Sequence, residues 1–185
     1  MNTQVLFKSR PEGFPSESNF EIVERPMPKV GDGDVLRRTI YLSLDPYMRG
    51  RMSTAKSYAE PAKLGVPMVG STVSEVVESK NPRFRAGDFV LGFDGWQSHA
   101  VSDGSGLRKL DPAQASISWS LGVLGMTGLT AYVGLLDIGK PKESETVVVS
   151  AAAGAVGSIA GQIARIKGCY VVGTAGSDEK CAFVV

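Results

Sequence analysis

The sequence is short of the side chains that hold metals. It contains one histidine, His99, and two cysteines, Cys169 and Cys181. A catalytic zinc centre takes three protein ligands, and a structural one takes four, mostly sulfur or nitrogen. Four ligands are not present, and three are not brought together: both cysteines lie beyond residue 160, outside the β-rich part that holds His99, so no metal is expected. His99 reads as a strand residue. The cysteines have no Cys-x-x-Cys spacing and give no disulfide framework, so a reducing cytoplasm is the expected setting. Charge of one sign is also lacking. The formal net charge is +1, and the nearest approaches to a basic cluster are Arg37 beside Arg38 and Arg49 near Arg51. Without a basic excess to neutralise phosphates, no nucleic-acid partner is expected. Residues 1–10 have no apolar signal core. The most apolar stretch, residues 146–164, is broken by glycines and polar residues. A membrane helix needs roughly 18–20 consecutive apolar residues, so no membrane partner is expected.

What is present fits a globular fold. Hydrophobic residues at 43% and charged residues at 21% are enough to build a core and argue against disorder. The first 110 residues read as β-rich. Residues 5–8, 20–25 and 34–42 are short β-type runs separated by Pro and Gly clusters. An alternating strand falls within 67–78, another follows the turn at 85–88, and a short one spans 97–101. Residues 47–61 are less regular and suit a loop over a cleft. Closely spaced strands of this kind suggest a small barrel or sandwich.

The pattern changes after Pro112. Residues 119–136 have helical apolar spacing interrupted by Gly122, Gly125 and Gly128. Residues 146–151 then read as a buried strand and 155–167 as a helix, with Gly168 as its stop. Residues 170–175 form a second buried strand. A further helix starts at Asp178, with Ser177 as its N-cap. This is a β-α-β unit of a parallel sheet. Two strands leave their sheet edges and Phe183, Val184 and Val185 without a partner surface. The expectation is the N-terminal part of a longer protein.

The first β-α connection carries the chemistry. In residues 147–157 Ala152 stands at the first glycine position of a dinucleotide-binding turn, followed by Gly154 and Gly157. Small residues there let the backbone approach a pyrophosphate and let the helix pack on the strand. The helix N-terminus offers unpaired N–H donors and a partial positive charge. Sites that bind the unphosphorylated ribose place Asp or Glu at the end of the second strand. Here no acid occurs until Asp178, and Lys180 follows it. That pattern favours NADPH, although Lys180 also reads simply as a solvated lysine beside Glu179.

Four stretches resemble one known family. They are residues 42–52 (Leu-Ser-Leu-Asp-Pro-Tyr-Met-Arg-Gly-Arg-Met), 125–132 (Gly-Met-Thr-Gly-Leu-Thr-Ala-Tyr), 149–158 and 168–180. Together they resemble the zinc-independent medium-chain dehydrogenase/reductase superfamily, in its NADPH-dependent double-bond reductase branch of prostaglandin, alkenal and curcumin reductases. Residues 119–126 and 134–139 look most like the bacterial curcumin reductases. The resemblance implies a GroES-like barrel over 1–125, acting as the catalytic and substrate domain. It implies the first half of a Rossmann doubly wound parallel sheet over 126–185. It implies that Gly154, Ala155, Val156 and Gly157 meet the pyrophosphate, that Gly176, Ser177 and Lys180 surround the 2′-phosphate, and that Met126 and Thr130 lie near the nicotinamide. Tyr47 would line the cleft near substrate. Residues 70–72 read Gly-Ser-Thr where related zinc alcohol dehydrogenases carry Gly-His-Glu, so the resemblance implies no metal either. A homodimer of the full-length protein is implied as well.

The expected reaction is hydride transfer from NADPH to the β-carbon of an α,β-unsaturated ketone or aldehyde, such as a curcumin-like enone. Negative charge then develops on the carbonyl oxygen and needs a hydrogen-bond donor, since no metal is available. Tyr47 is the candidate donor, with cleft-wall packing as its alternative role. Tyr58 is a weaker candidate. Tyr41, inside a strand run, reads as core. Arg49 reads first as solvated or paired with Asp45, with guidance of a polar substrate as its alternative role. Two other functions compete: an NADPH-dependent quinone oxidoreductase, which the Asp-Pro-Tyr-Met-Arg segment disfavours, and a non-catalytic NADPH-binding protein.

Overall fold

A computed structural model describes residues Met1–Val185, and its contacts divide the chain into two compact units, Met1–Ile117 and Ser118–Val185. The first unit is β-rich. Strands β1 (Asn2–Phe7) and β2 (Phe20–Arg25) form an antiparallel pair. Strands β3 (Val35–Leu42), β4 (Thr72–Ser79), β5 (Phe89–Gly92), β6 (His99–Ser102) and β7 (Arg108–Leu110) form a five-stranded antiparallel sheet in the order β6-β3-β4-β5-β7. Single bridges from Gln4 to Gln97 and from Leu6 to Pro67 stitch β1 to this body. Strand β7 is too short and polar to have been read from periodicity.

Two apolar clusters fill the unit. One gathers Phe7, Met48, Met52, Ala62 and Met68, with Phe20, Tyr47 and Trp96 packed against it. The other holds Val35, Val76, Phe84, Val90 and Leu107. Strand alternation sends Arg37 and Arg38 to opposite faces. Arg38 pairs with its cross-strand neighbour Glu75 on the exposed face at 2.6 Å. Arg37 is 1% exposed. Its Nε and Nη2 donate to the Asp94 carboxylate at 3.1 and 2.6 Å, and Nη1 donates to the Val35 carbonyl and Ser102 Oγ. Thr72 Oγ1 donates to the same carboxylate at 3.2 Å. This pair is therefore fully hydrogen-bonded, as a buried ion pair must be to offset desolvation.

Two readings of this unit need correction. Tyr41 is 45% exposed and is not core. The β3–β4 register shifts between Thr39 and Tyr41, and the extra residue changes which side chains the end of β3 turns outward. The 47–61 segment is not irregular throughout, because it opens with a single helical turn, α1 (Tyr47–Arg51).

The second unit begins with a 3-10 segment, Ile117–Leu121, then α2 (Met126–Tyr132), which runs on as a π-helix, Val133–Gly139. Strand β8 (Thr146–Val149), α3 (Gly157–Ile166) and β9 (Tyr170–Gly173) form the β-α-β unit, with β8 and β9 parallel and paired from Thr146–Tyr170 to Val149–Gly173. Gly168, at φ +78°, ends α3 in a Schellman turn: its N–H donates to the Arg165 carbonyl, and the Cys169 N–H donates to the Ala164 carbonyl. Helix α4 (Asp178–Val184) starts at Ser177, whose Oγ accepts from the Lys180 N–H at 3.3 Å. The two strands are not buried, as their apolar composition suggested. Every residue of β9 is exposed, and Val148 of β8 is 67% exposed. The sheet has two strands, so β9 is an edge strand, and side chains on both of its faces are exposed. No helix is long and apolar enough to cross a membrane.

Two outcomes follow for stability. Replacing Asp94 by Ala strands the buried Arg37 charge and should cost about 3–5 kcal/mol in denaturant unfolding, whereas Arg37→Met with Asp94→Leu should recover much of that loss. His99 is held below the ordinary histidine range, first by burial and then by the N-terminal ammonium and Arg38. A depressed imidazole pKa favours the neutral form in the fold. Its contribution is present above pH 6.5 and is lost as the pH falls through the folded value. Unfolding free energy measured at pH 7.5 and 5.5 should therefore fall less in His99→Gln than in the parent.

Candidate functional site

The turn between β8 and α3 is built by one backbone conformation. Ala151 adopts φ +49°, which an L-residue with a Cβ seldom occupies. That conformation swings the Ala151 carbonyl inward, where it accepts from the Gly154 N–H at 2.8 Å. A Cβ at Gly157 would collide with this oxygen, and the residue has to be glycine. The Ala152 N–H donates to the Thr174 carbonyl, and the Thr174 N–H donates to the Val149 carbonyl, so the turn is tied to the end of β9. Helix α3 starts at Gly157, two residues later than its sequence pattern suggests, because Ala155 and Val156 are still in the turn.

These features make a cradle. Gly154, Ala155 and Val156 are exposed. No acceptor of the chain meets the N–H groups of Ala155, Val156 and Gly157. They are the orphan donors of a helix N-terminus, gathered where a side chain would not fit. A cavity of ≈ 560 Å³ lies beside the turn, lined among others by Thr130, Gly134, Val148, Ala151, Gly154 and Gly157. Thr130 thus shares one cavity with the glycine turn. Its Oγ1 donates to the Met126 carbonyl at 2.7 Å, which sets the two residues one helical turn apart on α2, both exposed. Gly176, Ser177 and Lys180 are exposed at the start of α4, and the Lys180 side chain makes no ion pair. They do not line that cavity.

Tyr47 belongs to the first unit. It is half-buried at the first position of α1; its hydroxyl oxygen is shielded from solvent and makes no well-formed hydrogen bond, although the Ser71 hydroxyl lies near enough to interact with it weakly. Burial, then the Asp45 carboxylate, pushes the phenol pKa up, while Arg51 and the nearby Ser71 hydroxyl oppose the rise more weakly. The phenol is therefore a protonated donor at neutral pH. Ser71 was missed as a neighbour because its approach to residue 47 is tertiary and leaves no trace in local sequence. Arg49, partly exposed, makes no ion pair with Asp45: its Nε and Nη2 both donate to the Gly13 carbonyl, at 2.9 and 2.7 Å. A carbonyl 36 residues away leaves no trace in local sequence. No three His, Cys, Asp or Glu side chains gather in the structure.

Comparison with known proteins places this geometry. Residues 3–110 match a family model described as the N-terminal domain of oxidoreductase. The chain is 56% identical over 180 residues to an Escherichia coli K12 protein named NADPH-dependent curcumin reductase, covering 97% of this chain and 52% of that protein. It is 53% identical over 176 residues to rat prostaglandin reductase 1, covering 94% and 51%. The crystal structure of Vibrio vulnificus CurA in complex with NADPH matches with a TM-score of 0.92 and 52% identity, over 98% of this chain and 54% of that one. The chain therefore spans about half the length of the relatives it matches. A family model covering most of the chain, relatives above 50% identity and a near-superimposable fold converge: the chain belongs to the double-bond reductase branch of the medium-chain dehydrogenase/reductase superfamily.

Proposed function

We propose that this chain supplies the substrate domain and the phosphate-binding half of the nucleotide domain of an NADPH-dependent enone reductase. The observation that carries the reading is the Ala151–Gly157 turn, where orphan N–H groups surround a position that admits no side chain at Gly157. Such a cradle fits a pyrophosphate. Gly154, Ala155, Val156 and Gly157 hold it there. Gly176, Ser177 and Lys180 take the 2′-phosphate: no acid precedes Asp178 on that strand end, and Lys180 has no other ionic partner. Met126 and Thr130 border the nicotinamide. The names of the relatives, two of them reductases and one an NADPH complex, support the same cofactor.

When bound, NADPH supplies the hydride. The chain's own residues bind, orient and stabilise charge. Reduction at the β-carbon of an enone gathers negative charge on the carbonyl oxygen. A donor aimed at that oxygen lowers the barrier most when it loses no solvation at the moment of reaction. The protonated Tyr47 hydroxyl, already out of solvent and with only the Ser71 hydroxyl as a weak neighbour, has that character. Because its pKa is raised, loss of the proton should not limit activity until well above neutral pH. Substrates are α,β-unsaturated ketones or aldehydes of the curcumin-like class.

The test is NADPH oxidation at 340 nm by the full-length protein with an enone, run beside NADH and beside a quinone. Turnover of the enone with NADPH, much slower with NADH, is expected. Reduction of the quinone alone would assign a quinone oxidoreductase, and cofactor binding without turnover of either would contradict an enzymatic role. In the same assay Lys180→Ala should raise KM for NADPH about tenfold or more and leave KM for NADH unchanged, as loss of one charge-assisted phosphate contact would.

A further inference from the structure

Two loops of the first unit grip each other through arginines. The first runs over residues 10–18 and is closed at its base by Ser9 and Asn19: the Ser9 N–H donates to the Asn19 carbonyl at 3.2 Å, and Asn19 Nδ2 donates to Ser9 Oγ at 3.0 Å. The second runs over residues 53–61 and is closed where the Ala62 N–H donates to the Arg51 carbonyl at 2.6 Å. Compact loops with joined ends are Ω-type and often functional. From the first loop, Arg10 reaches the base of the second: Nη1 donates to the Met52 carbonyl at 2.9 Å and Nη2 to the Ala62 carbonyl at 3.1 Å, while its guanidinium lies 5.8 Å over the Phe7 ring. From α1, directly before the second loop, Arg49 reaches back and forks onto the Gly13 carbonyl.

The clamp is crossed, so each loop is fixed by an arginine rooted in the other's segment. All three acceptors are backbone carbonyls, and any side-chain change in either loop leaves them in place. The clamp also encloses α1, which carries Tyr47. Tyr58, near the tip of the second loop, is 89% exposed yet close enough to act electrostatically on the Tyr47 phenol. Phe14, beside the clamped Gly13, is 96% exposed.

We infer that Arg10 and Arg49 are positioning residues that lock these two loops into one body around α1, holding the Tyr47 hydroxyl and the loop tips in register for an apolar, unsaturated substrate. The inference rests on the enone reading for its kinetic consequence but not for the coupling itself. Lysyl endopeptidase separates the two. Lys56 is exposed inside the second loop, and Lys109 in β7 serves as an internal control. The Arg49 side chain spends its hydrogen bonds on Gly13, outside the second loop, yet Arg49→Ala should speed release of the peptide ending at Lys56 by about fivefold or more, with cleavage after Lys109 unchanged, as should Arg10→Ala; the double variant should be no faster than the faster single one. In the full-length enzyme both variants should lower kcat/KM for the enone about fivefold or more, with part of the loss in kcat because the Tyr47 donor is displaced, and with KM for NADPH within roughly twofold; Arg49→Lys should restore part of the loss. Unchanged cleavage after Lys56 in Arg49→Ala overturns the coupling, and so does equal acceleration at Lys56 and Lys109 in both Arg49→Ala and Arg49→Lys. If the parent enzyme turns over no enone, the enone reading fails while the protease result still decides the clamp.

Discussion

The carbonyl oxygen of Ala151 stands where the side chain of residue 157 would otherwise be, and the second unit is organised by that fact. Because Ala151 turns through positive φ, the chain leaves β8 and enters α3 within a few residues, and the helix can start only with glycine at that contact. The tight entry lets α3 pack against the strand pair and leaves three N–H groups facing outward together. A residue in this conformation costs about 1–3 kcal/mol unless its surroundings enforce it. Here the Ala152–Thr174 and Thr174–Val149 hydrogen bonds enforce it, so the strain is held in place by sheet pairing. The packing and the cluster of free N–H donors thus come from the same backbone feature.

The first unit solves a different problem. Its sheet has to present a short helix with a shielded tyrosine hydroxyl while most of its polar groups stay satisfied. The Arg37–Asp94 pair anchors the segment that carries Trp96, which stacks on Phe20 and packs against the methionine-rich cluster beside Tyr47. Around that cluster the crossed arginine clamp fixes the surface loops. Buried ion pair, apolar cluster and carbonyl clamp act on neighbouring segments, so α1 is supported from the sheet side and from the loop side.

The parts of this architecture legible in the sequence are those set by local chemistry. Valine-rich runs at 146–149 and 170–173, small residues between them and Gly168 at the helix stop specify the β-α-β unit and its turn. Ser177 is a readable cap because an N-cap side chain acts three residues away. The exposure of β8 and β9 was not legible, since apolar composition reports what a strand would bury, not whether a partner is present. Tyr41 depends on a one-residue register shift that the alternation does not show. Asp94, the ionic partner of Arg37, and all the acceptors of Arg10 and Arg49 lie tens of residues off in the chain, and the acceptors of Arg10 and Arg49 are backbone carbonyls without sequence identity. The resemblance named Tyr47, yet the burial of its hydroxyl and the raised phenol pKa are tertiary.

The most direct measurement is isothermal titration calorimetry of NADPH with the full-length protein and with its Gly157→Ala variant, with circular dichroism confirming that the variant is folded. A methyl group there collides with the Ala151 carbonyl and must open the turn. The account predicts that the folded variant loses NADPH affinity by about a hundredfold or more, as expected when several backbone contacts to a phosphate are displaced together. A folded variant that binds NADPH as tightly as the parent would contradict it, because the cradle would then not be where the cofactor is held.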